Sequence, residues 1–231
     1  MRFLIVLALT AVLAACASGR DFARPFASDL ALGTMTEADI VGRYGPPTKR
    51  LQATMAQPTA AQLAATRGPF DHMPAAGTLV RLDYYFDEPE GYGRRGFKDL
   101  SFYVLDGKLV RYEFVSNSAA TSTKFDESRI GEIKRGVTTR AQLSAMFGEP
   151  AGLGIYPTIR DRGAVLVIYS FIDFDKGEFL NRKNDLITSF LEVLVGPDDK
   201  VVDFRARSET KALPPEPAPA TVPMPIFIPT K

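Results

Sequence analysis

Two side chains able to do chemistry occur only once in this sequence, the thiol of Cys16 and the imidazole of His72. A lone cysteine has no partner for an intramolecular disulfide, and a free thiol sits poorly in an oxidising compartment. A lone histidine builds no metal site of the common kinds. Asp71-His72 supplies two members of a nucleophilic triad, but the Gly-x-Ser-x-Gly elbow that would present a serine is missing. Asp83, Asp87, Glu88 and Glu90 lie close enough for a carboxylate-pair hydrolase, although acids beside a hairpin are more often its solvated face. No phosphate-binding glycine loop of the Walker or dinucleotide type appears. These residues speak against an enzyme, leave a hydrolase as the third choice, and call for no metal or small-molecule cofactor.

Cys16 takes its meaning from what precedes it. Met1-Arg2 is followed by an apolar run from Phe3 to Leu9 and by small residues up to Ala15, the layout of a secretory signal over residues 1–15. Phe3 to Ala15 is too short for a helix across a bilayer, which takes about 20 residues. Leu13-Ala14-Ala15-Cys16 resembles the lipobox of bacterial lipoproteins. That resemblance implies cleavage before Cys16, covalent lipid such as palmitate on its sulfur, and a lipidated tether over residues 16–28. Several acyl chains anchor far more firmly than one. Ala17-Ser18 carries no aspartate, which by the same resemblance implies the periplasmic face of the outer membrane. Loss of Arg2 brings the 28 Lys and Arg down by one, level with the 27 Asp and Glu. So even a balance leaves no electrostatic footprint for nucleic acid and no polybasic patch for a membrane.

The elements that position any site are organised by an internal repeat. Gly33-Thr34-Met35-Thr36 to Gly45-Pro46-Pro47 recurs as Gly136-Val137-Thr138-Thr139 to Gly148-Glu149-Pro150. Thr36 and Thr139 are each followed three residues on by a side chain that can complete a capping box, Asp39 and Gln142. Ile40 with Tyr44, and Leu143 with Phe147, form an i, i+4 apolar stripe on each helix. Gly45 and Gly148 are left-handed stops, and Pro47 and Pro150 prevent continuation.

Strand-forming runs follow each helix: residues 79–86, 100–105 and 109–114 in the first copy, 165–171, 188–195 and 201–205 in the second. Asp106-Gly107 reads as a two-residue hairpin turn. The expected fold is α+β: two tandem units at 29–118 and 125–208, each with short helices packed on a three-stranded antiparallel meander. Residues 51–78 read as an Ala-, Thr- and Gln-rich excursion with one or two helical turns at 60–65. The prolines from Pro214 onward make 212–231 a disordered polyproline-like tail.

A Gly-x-x-Thr helix closed by Gly-x-Pro and followed by three strands, in a chain with a lipobox, resembles the SmpA/OmlA (BamE-like) family of outer-membrane lipoproteins. In tandem, the pattern is similar to the β-lactamase inhibitor protein fold. The resemblance implies a protein-binding scaffold or accessory subunit in envelope or outer-membrane protein assembly, with the β-barrel assembly machinery among its partners. A lipid-anchored inhibitor or ligand-binding protein is the alternative. Tyr84, Tyr85, Tyr103, Tyr112 and Tyr169 are the candidate protein-binding face, because tyrosine suits interfaces with one apolar and one wet side. Alternation puts Tyr85 and Tyr103 on the face opposite Tyr84 and Phe102.

Overall fold

The computed structural model describes residues 19–90, 94–175 and 185–213. The signal segment, Cys16 and the proline-rich run from Pro214 lie outside the described residues. Among the described residues, no helix is long and apolar enough to cross a membrane.

Both repeat helices form where their caps dictate. In α1 (Glu37–Tyr44) the Thr36 hydroxyl accepts from the Asp39 amide, and the Asp39 carboxylate accepts from the Thr36 amide at 2.9 Å. In α3 (Arg140–Phe147) Thr139 and Gln142 make the same reciprocal pair. Gly45 and Gly148 close the two helices at φ 80° and 81°, a conformation that glycine adopts without strain. Ile40 and Tyr44, and Leu143 and Phe147, are the buried residues. A third capping box, Thr59 with Gln62, starts α2 (Ala60–Ala65), which buries nothing.

The strands correct the expected architecture. They form one continuous antiparallel sheet of eight strands in chain order: β1 (Lys49–Met55), β2 (Gly77–Glu90), β3 (Arg94–Leu105), β4 (Lys108–Ser116), β5 (Gly152–Gly154), β6 (Val165–Asp175), β7 (Asp185–Val195) and β8 (Val201–Ala212). Two separate three-stranded units are not what the chain builds. The difference lies in β1 and β5. Residues 49–55, whose solvent-exposed edge strand has no alternating pattern, pair with β2 from Lys49↔Asp83 to Met55↔Gly77. Gly152-Leu153-Gly154 pairs with β4 on one side and β6 on the other, so the two halves share one hydrogen-bonded ladder. A Cβ on Gly152 would run into the Tyr112 carbonyl oxygen, so glycine allows this close approach.

The repeat survives locally within that sheet. The Gly33 amide donates to the Leu109 carbonyl at 2.7 Å and the Leu109 amide to Met35; Gly136 and Thr138 make the matching bonds with Val201. Each helix thereby docks on the start of the last strand of its own half. Both halves also carry a bulge there, opposite Tyr103/Val104 and Leu194/Val195.

The helix-covered face holds the main core, including Tyr44, Leu82, Tyr84, Phe102, Tyr112, Phe147, Tyr169 and Val193. The described part of the segment read as a tether, residues 19–28, joins this core. Phe22 is 7% exposed, and its ring lies 6.0 Å from Tyr84 and 6.3 Å from Phe114. Arg24 donates to the Ser122 carbonyl at 3.1 Å and to the Glu149 carbonyl at 2.9 Å, while the Ala27 amide donates to the Glu149 carboxylate. Residues 19–28 are therefore a strap across both halves. Phe22→Ala removes a buried ring at the centre of it and is expected to destabilise the protein by about 3 kcal/mol, read as a lower denaturant midpoint. A change below about 0.5 kcal/mol, the level of an ordinary surface substitution, would show that the strap does not carry the joint.

Candidate functional site

The face opposite the helices is divided. Toward β6 and β7 it is covered by loops 66–76 and 155–164, which bury Phe70 and Ile159 against Leu166, Ile168 and Leu194 in a second, smaller core. The loops are tied to each other by the Met73 amide donating to the Pro157 carbonyl at 2.9 Å, and Arg205 lies over the Phe70 ring at 4.8 Å. Across β2, β3 and β4 that second core does not extend, and only the edge of the loops, at His72, Met73, Pro157 and Thr158, reaches this face.

At the centre of that open stretch stands Tyr103, with the Arg81 guanidinium 5.5 Å and the Arg111 guanidinium 6.0 Å from its ring. Each guanidinium has its own carboxylate. Arg81 donates to Asp83 at 2.6 Å, Asp83 also accepts from the Ser101 hydroxyl at 2.7 Å, and Arg111 pairs with Glu113. Asp99 stands on the same face and feels the charges of Asp83, Arg81 and Glu113, so three carboxylates accompany the two guanidiniums, and the paired side chains are fixed by one another. Burial, and then the charge of Glu113, raises the Tyr103 phenol above its ordinary pKa, so it remains a hydroxyl at neutral pH.

Beside Tyr103 a cavity of about 400 Å³ is lined by Met55, Met73, Leu79, Leu105 and Val110, with His72, Tyr103, Arg111 and Thr158 as its polar members. The bulge builds this corner. Tyr103 pairs with Arg111 and Val104 with Leu109, so Val110 has no partner on β3, and the consecutive residues Val110 and Arg111 both line the cavity. Alternation from buried Tyr112 keeps Arg111 on this face but would have sent Val110 to the helix-covered side; the bulge is what turns Val110 to the cavity.

The tyrosines proposed as a binding face do not stay together. Tyr85 and Tyr103 are on the open face. Tyr84, Tyr112 and Tyr169 are 3%, 0% and 1% exposed and belong to the main core, which corrects their candidate role. Register explains the placement: Tyr112 lies opposite Phe102, so it shares that residue's helix-covered side. The Tyr84 hydroxyl donates to the Gly45 carbonyl at 3.0 Å, fastening the end of α1 to β2, and burial followed by the Glu37 charge pushes its pKa up to about 12. Burial raises Tyr112 and Tyr169 as well. Gly33, Thr36, Gly45, Gly136, Thr139 and Gly148 lie in the helix caps and their docking loops, with Pro47 and Pro150 just beyond the helix ends. Cys16 lies outside the described residues.

The groups weighed for catalysis are dispersed. Asp71 accepts from the Gly68 amide at 2.7 Å and the Arg67 amide at 3.0 Å, and these bonds hold its carboxyl below the usual range. Asp83 serves Arg81 and Ser101, Asp87 accepts from the Tyr85 hydroxyl at 2.6 Å, and Glu88 accepts from Ser118. The Glu90 side chain lies outside the described residues. Among the described residues no group of three His, Cys, Asp or Glu could hold a metal ion.

Comparison with protein-family models and with curated proteins gave no match, so the SmpA/OmlA resemblance gains no support there. Among solved structures, the chain is similar to a crystal structure titled "putative beta-lactamase inhibitor protein" from Streptococcus mutans. The two are 11% identical, with a TM-score of 0.43, over 78% of this chain and 91% of that one.

His72 reports on the cavity directly. Desolvation, and then the positive charge of Arg111, lowers its pKa from the ordinary 6.5. A depressed folded pKa means that the unfolded chain binds the proton more tightly, so this contribution to stability is present above the unfolded pKa and lost as pH falls through the folded one. With one histidine in the chain, a single imidazole resonance titrates. It is expected to titrate below 6.5 and to move back up in Arg111→Met; a midpoint at or above the ordinary value would contradict this placement.

Proposed function

We propose that this chain is an exported lipoprotein, anchored through lipid on Cys16 at the periplasmic face of the outer membrane, that binds another envelope protein on the open face of β2–β4. The observation that carries the binding reading is Tyr103 held between Arg81 and Arg111 on the face opposite the helices, beyond the edge of the second core. Tyrosine and arginine are the residues most enriched at the energetic centres of protein interfaces. Here their side chains are already ordered by Asp83, Ser101 and Glu113, which lowers the entropy lost on docking. The adjacent cavity offers an apolar recess for one side chain of the partner.

The role is a scaffold or accessory subunit in envelope assembly, with the outer-membrane β-barrel assembly machinery as the first partner to test. A lipid-anchored ligand-binding protein or inhibitor is the second reading, favoured by the cavity of about 400 Å³, which falls within the usual range of small-molecule pockets. The engagement of Asp71, Asp83, Asp87 and Glu88 by neighbouring donors supports a non-enzymatic role.

A photo-crosslinking amino acid at position 103, introduced into the full-length protein in its own cells, tests the binding face. A discrete adduct with an envelope protein that is absent when the probe is at exposed Val137 is expected; no adduct, or the same adduct from both positions, would contradict it. Cys16→Ser is expected to abolish palmitate labelling and release the protein from the membrane fraction, whereas a membrane-bound Cys16→Ser protein would rule out the anchor.

A further inference from the structure

The strap brings the proposed anchor point close to one particular end of the sheet. Gly19 packs so tightly on β2 that a Cβ there would meet the Tyr85 carbonyl oxygen. Two residues on, Asp21 accepts from Lys98 at 2.9 Å, and Phe22 and Arg24 fix the rest of the segment in the core. From Cys16 to Gly19 the chain advances three residues, a reach of at most about 11 Å even when fully extended.

That end is where β2 runs out toward Glu90 and β6 toward Asp175. It presents aromatic side chains with no core to enter. Phe174 is 44% exposed and Tyr85 41%, and the Phe97 and Phe174 rings meet edge-on at 6.4 Å, linking the first half of the sheet to the second. The Phe97 amide donates to Asn117 and Asn117 donates to Asp173, so the two long hairpins are held together there. Among the described side chains there, Asp87 is paired with the Tyr85 hydroxyl, and Glu88 with Ser118 and Lys98.

Resting on the reading of Cys16 as the lipid anchor, we propose that this end of the sheet, with Tyr85, Phe97 and Phe174, lies against the lipid surface, its aromatic rings at headgroup level. The short leash selects lipid over a protein as the occupant, because a chain anchored about 11 Å from Gly19 cannot carry that end far from the bilayer. Aromatic residues are favoured at such interfaces because their rings tolerate both apolar and wet surroundings. Leu79, which lines the cavity, is six residues back along β2 from Tyr85, about 20 Å at the rise of a strand. The orientation thus lifts the cavity and Tyr103 away from the lipid, toward a partner in the periplasm.

The chain contains no tryptophan, so single substitutions give an unambiguous depth probe. Phe174→Trp marks the proposed lipid-facing end. Val137→Trp marks the other, since Val137 is 61% exposed and follows Gly136, which is bonded to Val201 at the start of β8. Full-length protein carrying each change, purified with its lipid and reconstituted into vesicles of bromine-labelled phospholipid, is expected to show several-fold stronger tryptophan quenching at 174 than at 137. Equal or reversed quenching in protein whose lipid on Cys16 is verified by mass would overturn the orientation while leaving the anchor standing. A mature chain with no lipid on Cys16 would overturn both.

Discussion

The arrangement depends on a strand of three residues. Gly152-Leu153-Gly154 fills the gap between β4 and β6, and without it each half would end in an open edge of unpaired amides and carbonyls. Its chemistry is restrictive: position 152 must approach the Tyr112 carbonyl closely, while Leu153, 4% exposed, must still reach the core between them. The ladder is extended at both ends by the Phe114 amide donating to Ala151 and the Ile155 amide donating to Val110. This join sets the open face as well, because the loop that follows β5 becomes half of the second core beside Tyr103.

The strap reinforces the same join from the helix-covered side. Phe22 packs on rings of β2 and β4, and Arg24 and Ala27 reach Glu149 beyond α3. Backbone pairing at β5 and side-chain packing under the strap thus act on one seam, the first within the sheet and the second from its helix-covered face. The consequence for function is geometric. The strap, the aromatic end and the open face therefore take fixed positions relative to one another.

Local structure was legible in the sequence wherever a short-range rule governed it. Thr36 with Asp39 and Thr139 with Gln142 announced both helix starts, Gly45 and Gly148 their ends, and the i, i+4 pairs their buried faces. The Asp106-Gly107 turn followed from residue type, and both residues have positive φ. What the pattern missed was set by distant partners. Lys49–Met55 is a strand because β2 offers an edge, Gly152-Leu153-Gly154 because β4 and β6 flank it, and residues 19–28 are ordered by contacts more than a hundred residues away at Glu149. For the site, alternation separated Tyr85 and Tyr103 from Tyr84, but which side the helices cover is a tertiary fact. That fact buried Tyr84, Tyr112 and Tyr169, and a bulge, invisible to alternation, turned Val110 to the cavity.

A sheet continuous through β5 should unfold as one unit, and this is the most direct test of the structure. Denaturant unfolding of residues 19–213, followed by far-ultraviolet circular dichroism and by tyrosine fluorescence, is predicted to give one transition with coincident midpoints. Two resolved transitions, or midpoints that differ between the probes, would mean that the halves fold separately and would contradict a single sheet.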